Sequence, residues 1–291
     1  MKKERKWQAL IALFLVLLSL TCVLPVWLVA SISFTDEKAI VQNGYSLIPS
    51  QFSLEAYGTI FAGGKQVYRS YGVSIFVTVV GTLCAVLITG MAGYALANPL
   101  VRYRNALAMF FFITMVFNGG MVPWYMICKR FGLTENIWAL LIPNLIFSPF
   151  NLFLVRNYMR DIPVALIESA RLDGANDAVI AFRIYFPLSK PILATIALFI
   201  AIGYWNDWWN SIMLVSYVNM YPVQYLLMKL KSDINMMKSM QNSGFAGAST
   251  MKPAESLQMA TVMITIAPIL LFYPLLQKYI VKGLVIGSVK G

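Results

Sequence analysis

The sequence predicts an all-α membrane protein with six transmembrane helices, and three observations carry that prediction. Of the 291 residues, 59% are hydrophobic and only 12% charged. An ordinary soluble domain carries about 25% charged residues, so much of this surface must face something other than water. The hydrophobic residues collect into six uncharged runs, each near the roughly 20 residues a helix needs to cross the hydrocarbon core. The basic residues behind the net charge of +11 fall between those runs and not in one patch. That is the pattern of loops held at a cytoplasmic face, not of a nucleic-acid surface. The lipid bilayer is therefore an expected partner, and nucleic acid is not.

The first run covers 7–33. Lys2, Lys3, Arg5 and Lys6 precede it as in a signal peptide. Its apolar stretch is longer than the usual 7–15 or so residues, however, and no clear small-residue cleavage site follows, so an uncleaved first span is expected. The other spans are expected at 71–101, 105–128, 136–155, 191–215 and 256–277. With a cytoplasmic N-terminus, six spans return the C-terminus to the cytoplasm. The inside segments then hold 14 of the 23 Lys and Arg, in less chain than the outside loops, as the positive-inside rule requires. Lys129 and Arg130 land outside, against the rule. Two outside segments are long, 36–69 and 216–255. Loops beyond about 15 residues are usually functional or disordered, and contact with an extracytoplasmic partner is expected for the second. Gly81, Gly90 and Gly93 in the second span suit close helix packing.

None of the six runs carries Lys, Arg, Asp or Glu in its apolar core, the fifth being uncharged over 191–206 and meeting Asp207 only in its extension towards 215, whereas ion-driven carriers normally need intramembrane ionisable relays. A phosphate loop is missing too: Gly63-Gly64-Lys65-Gln66 lacks both its spacing and its hydroxyl. Any pumping energy must then enter through another subunit. There is no histidine, which removes Ser–His pairs and His-ligated metals. Cys22, Cys84 and Cys128 show no metal or redox spacing. A non-catalytic chain with no catalytic and no metal site is expected. Asp207, beside Trp205, Trp208 and Trp209 near the outer end of the fifth span, reads as part of an interfacial aromatic belt, with a catalytic acid as the alternative.

The long inside segment 156–190 reads RNYMRDIPVALIESARLDGANDAVIAFRIYFPLSK. Pro163 suits a first helical turn, and Ala165, Leu166, Ile167, Ala170 and Leu172 favour helix after it. Glu168 and Arg171 stand at i, i+3 and can pair. Gly174 is a stop that tolerates positive φ, Asn176 and Asp177 cap a second helix, and Pro187 ends it. Two short helices joined by a glycine elbow suit docking into a groove on another protein; a helix lying on lipid headgroups is the alternative.

This segment resembles the EAA motif of ABC importer permeases, E-A-A-x3-G-x9-I-x-L-P. Here it is Glu168-Ser169-Ala170, three residues, Gly174, nine residues, Ile184, one residue, then Phe186-Pro187. Ser169 replaces Ala and Phe186 replaces Leu. Ile162-Pro163, Ala175, the run Pro187-Leu188-Ser189-Lys190-Pro191, Trp205-Asn206 and the tail residues 277–283 and 289–291 are similar to the carbohydrate-uptake, MalG-type branch. Residues 117–123 resemble its LplC/YtcP-like subgroup.

The resemblance implies a type I ABC importer permease fold with a cytoplasmic EAA coupling helix, in a bacterial cell (inner) membrane, multi-pass, both termini cytoplasmic. It implies a sugar or oligosaccharide moved inward by alternating access. The implied partners are a second homologous permease, two ATPase subunits that carry ATP and Mg, and an extracytoplasmic sugar-binding protein that touches 216–255. No cofactor is expected on this chain. Glu168, Ser169, Ala170, Arg171, Asp173, Gly174 and Pro187 would form the ATPase-coupling site, with 288–291 a further ATPase contact. Sugars are held by aromatic stacking and neutral polar groups. Trp205, Asn206, Trp208, Trp209 and Asn210 supply both, and Asn118 and Asn144 are polar groups in apolar spans. These seven are the candidate substrate path, with interhelical hydrogen bonding the alternative for the asparagines. An ion-coupled carrier and a membrane-embedded transferase are the competing classes. Within ABC permeases, another solute such as amino acids, peptides or phosphonates is the alternative.

Overall fold

In lipid every backbone N–H and C=O must be paired inside the segment, so long uncharged runs fold as helices. A computed structural model describes residues 2–62, 65–242 and 255–286. The tail 288–291 and most of the Gly/Ser-rich stretch at 242–250 lie outside them. In chain order the helices are α1 (Lys2–Ser33), α2 (Glu37–Asn43), α3 (Glu55–Ala62), α4 (Lys65–Ala97), α5 (Arg104–Val116), α6 (Met121–Arg130), α7 (Trp138–Leu141), α8 (Pro149–Arg160), α9 (Val164–Leu172), α10 (Asp177–Ile180), α11 (Phe186–Leu188), α12 (Lys190–Trp205), α13 (Trp209–Leu214), α14 (Val223–Asn242) and α15 (Glu255–Ile286). A π turn fills Ala181–Tyr185 and a 3-10 turn Val218–Met220.

The chain divides into two units, one of residues 1–67 with 226–268, the other of 68–225 with 269–291. In the first, α1 leaves Leu13, Phe14, Leu20 and Val23 more than half exposed, a continuous apolar surface of the kind that lipid or another chain covers. Asp36 caps α2 by accepting the Lys38 N–H at 2.9 Å. The Glu37 carboxylate accepts the backbone N–H groups of Glu255 and Ser256, each at 2.9 Å, and the Ser256 hydroxyl at 2.8 Å. One side chain thus satisfies orphan donors at the start of α15 and places a negative charge at its positive end.

The second unit is built on α4, which starts earlier than expected, at Lys65, and stops at Ala97, not at 101. Pro99 ends it, because the residue before a proline is pushed out of the helical region. The expected close packing is present. A Cβ on Gly81, Gly90 or Gly93 would stand within 3 Å of Tyr204, Phe186 or Val155 respectively, so α12, α11 and α8 each approach the α4 backbone where a side chain is missing.

The expected third, fourth and fifth spans are not single straight helices. The third bends by 118° between α5 and α6, where Gly120 takes φ +88. The fourth is α7, an irregular stretch and α8. Pro143 and Pro149 lack the N–H groups a helix needs there, and Asn144 sits at φ +66. In the fifth, α12 ends at Trp205 and α13 resumes at Trp209. Among the described residues, two helices are long and apolar enough to cross a membrane, over Lys6–Ser33 and Lys65–Ala97, or four if each bent pair is one span.

Candidate functional site

The elbow forms from local chemistry. Pro163 lies at the N-cap of α9, with ψ 130, one position before the helical turn expected of it. At the other end, Gly174 takes φ +80. Its N–H donates to Arg171 O at 3.0 Å, and the Ala175 N–H donates to Ala170 O at 2.9 Å. These are the two bonds of a Schellman cap, which requires a left-handed residue at that place. Asn176 then caps α10 by accepting the Val179 N–H at 2.9 Å.

Two sequence expectations are corrected here. Arg171 pairs forward with Asp177 at 2.7 Å, not back with Glu168, because the Schellman turn brings the start of α10 beside the end of α9. Pro187 does not end the second helix. The Phe186 N–H bonds back five residues to Ala181 O, and this wide π turn carries the chain past Pro187 to Leu188, where it meets α12 at an 80° bend. The second helix is therefore a short α10 continued by other turns.

Most of α9 is uncovered. Ile167 is 1% exposed and Leu172 89%. Val164, Leu166, Glu168, Ser169, Arg171 and Asp173 are exposed as well, and Ala170 is half-buried. A nine-residue helix held by one buried isoleucine, with apolar and charged groups facing outward, leaves a surface of the kind that a partner or a headgroup layer covers.

Sequence reasoning missed what ties this elbow to α4. The Tyr94 hydroxyl lies 3.4 Å from Asp177 Oδ1, its ring meets Tyr185 edge-on at 4.9 Å, and Asn98 Nδ2 approaches the same hydroxyl at 3.5 Å. Asp177, singled out from sequence only as a cap, therefore joins Arg171 on the elbow to Tyr94 on the long helix. A tyrosine one turn from a helix end carries no sequence signal for this, since its partner is 83 residues away.

The polar and aromatic candidates fall into separate environments. The breaks in the fourth and fifth spans face each other. The Tyr204 hydroxyl donates to Leu141 O at 2.6 Å, Asn210 Nδ2 donates to Pro143 O at 2.9 Å, and Asn144 Nδ2 lies 3.5 Å from Asn210 Oδ1. Side chains of one break thus satisfy carbonyls of the other, which lets the interruption persist among apolar neighbours. Asp207 Oδ1 caps α13 by accepting the Trp209 and Asn210 N–H groups at 3.1 and 3.3 Å. Trp205 is buried and packs toward Tyr71 at 6.3 Å, while Trp208 and Trp209 meet edge-on at 5.7 Å. Asn206 and Trp209 are exposed, and Asn206 Nδ2 bonds to Ile202 O at 3.0 Å. Asn118 is exposed and accepts the Gly120 N–H at 2.9 Å, at the α5–α6 bend. Trp205 and Asn210 are therefore buried within the chain, Trp208 is half-buried, and Asn118, Asn144, Asn206 and Trp209 carry the outward-facing surface. Tyr204→Phe leaves the Leu141 carbonyl unpaired and is expected to cost about 1 kcal/mol, read as a lower melting temperature of the purified protein in detergent.

Residues 91–286 match the family described as the binding-protein-dependent transport system inner membrane component. The chain is 38% identical over 290 residues to the polygalacturonan/rhamnogalacturonan transport system permease protein YtcP of Bacillus subtilis (strain 168), spanning 99% of this chain and 100% of that one. It is 37% identical to protein LplC of the same organism, over 92% and 90% of the two chains. Among solved structures, it aligns with a chain from the crystal structure of a bacterial ABC transporter involved in the import of the acidic polysaccharide alginate. The TM-score is 0.83 at 32% identity, over 96% of this chain and 98% of that one. A match across more than half its length, with relatives this similar over nearly all of it, shows that the chain belongs to the binding-protein-dependent transport system inner membrane component family and has the type I ABC permease fold.

Proposed function

We propose that the chain is one of two homologous permease subunits of an ABC importer that moves a sugar or oligosaccharide into the cytoplasm. The carrying observation is the exposed α9 with its Schellman elbow at Gly174. Two partner ATPases hold ATP and Mg, and α9 enters a cleft of one of them. Glu168, Ser169, Arg171 and Asp173 make the polar contacts, Ala170 permits close approach, and Pro187 sits where the elbow turns into α12. Closure of the ATPases on ATP moves α9, and the elbow passes that motion to α12 across the 80° bend and to α4 through Asp177 and Tyr94.

The chain crosses the membrane six times with both termini cytoplasmic, and the third to fifth crossings are broken. Contacts within each unit support that sidedness. Glu135 meets Ser216, and Glu37 meets the backbone N–H of Glu255, all four being residues read as outside. Arg156 meets the Leu96 carbonyl at 3.4 Å, near the Arg102/Arg104 turn read as inside. An extracytoplasmic sugar-binding protein docks on 216–255 and delivers the cargo, and the exposed Asn206 and Trp209 offer polar and stacking contacts along its path. The substrates named for YtcP and for the alginate transporter make acidic oligosaccharides the first cargo to assay.

The test is purification in mild detergent with the natural membrane partners, followed by ATPase assay. A complex with a second permease and an ATPase, stimulated by a liganded sugar-binding protein, is the expected result. A chain that purifies alone and transports without ATP rejects the reading. Asp177→Asn removes a solvent-exposed ion pair worth at most about 1 kcal/mol, so the melting temperature should hardly move. The ATP hydrolysed per sugar imported should rise severalfold, and an unchanged ratio would remove Asp177 from the coupling path.

A further inference from the structure

Glu135 lies in the short connection between α6 and α7, and its backbone takes φ +56. A non-glycine residue there is uncommon and costs free energy unless its surroundings over-determine it. The surroundings are specific. The Glu135 N–H donates to Leu214 O at 2.8 Å, and its two carboxylate oxygens accept the single Ser216 N–H at 3.1 and 2.9 Å. That backbone N–H, the largest cause, holds the Glu135 carboxyl below the usual carboxylate range. A turn that needed only the left-handed conformation would be better served by glycine. The carboxylate is what a glycine could not supply.

The segment it grips is the root of the long outside loop. Downstream of Ser216 the same root is held again at each step. The Tyr221 hydroxyl donates to Ser216 O at 2.9 Å, Arg69 donates to the Asn219 side-chain oxygen, and Ser74 Oγ accepts the Val223 N–H at 2.9 Å, at the start of α14. Contacts at 214, 216, 219 and 223 fix the backbone of this root against the connection before α7 and against α4. Preorganisation of this kind lowers the ordering cost that a docking loop would otherwise meet on binding.

We infer that Glu135 is a positioning residue for docking of the sugar-binding protein, acting by clamping the root of the 216–255 loop. The inference rests on the permease reading above. Its test uses the full complex with partner permease and ATPases, titrated with the purified sugar-binding protein that stimulates the wild-type complex. Glu135→Gly relieves the backbone strain, keeps the N–H bond to Leu214 and removes the carboxylate's hold on Ser216, whereas Glu135→Gln keeps one neutral acceptor. The half-saturating concentration of binding protein is expected to rise severalfold in the glycine variant, because the loosened root must be ordered on docking. The rise should be smaller in the glutamine variant, with the maximal stimulated rate unchanged in both. A half-saturation equal to wild type in Glu135→Gly, or a fall in maximal rate without a shift in half-saturation, overturns the inference. A wild-type complex that responds to no sugar-binding protein rejects the permease reading itself, and this inference with it.

Discussion

Gly174→Val is expected to lower sugar uptake by up to about 30-fold, with Gly174→Asn retaining most of it. Nothing lies within 4 Å of where a Cβ on Gly174 would stand, so the effect is not a clash. It comes from the backbone: at φ +80 an L-residue is disfavoured by about 1–2 kcal/mol, and β-branching adds to that. A loss of about 2 kcal/mol is a factor of roughly 30 in the ratio of folded to frayed elbow. Losing that conformation releases the two Schellman bonds to Arg171 O and Ala170 O. The last turn of α9 frays, and Arg171 leaves Asp177. Asparagine tolerates the left-handed region and often occupies this cap position, so it separates conformation from side-chain size. The readouts are co-purification of the ATPase and ATP hydrolysed per sugar imported. Normal uptake by the valine variant would sink the coupling role of this elbow.

Gly81→Val should have the largest effect on the fold itself. Its Cβ would stand 2.6 Å from Tyr204 Cε2. The ring has no room to swing, since Tyr204 is buried among core residues and its hydroxyl holds Leu141 O at 2.6 Å. Overpacking of this kind typically costs about 1–3 kcal/mol. Here it also pulls a buried hydroxyl off a carbonyl in an apolar setting, a further penalty of about 1–3 kcal/mol. The expected result is a protein that accumulates poorly and melts well below wild type. Combining it with Tyr204→Ala removes the clash while still leaving Leu141 O unpaired, so the double variant should be less damaged than the two single losses summed. Strict additivity would show that the two residues do not meet.

The sequence by itself determined whatever depends on neighbours within a few residues. Uncharged runs gave the helices, because their backbone pairs internally. Gly174, Asn176 and the spacing from Glu168 to Pro187 gave the elbow and its kinship, because a Schellman cap and an N-cap are written within one turn of helix. Only the tertiary structure decided how those helices are interrupted and joined. The breaks near Pro143 and Asn206 persist because Tyr204 and Asn210 satisfy carbonyls more than sixty residues away. The same holds for Tyr94 at Asp177 and Glu135 at Ser216. In each case the partner is fixed by packing between distant segments, and no local pattern encodes which carbonyl, carboxylate or N–H will arrive.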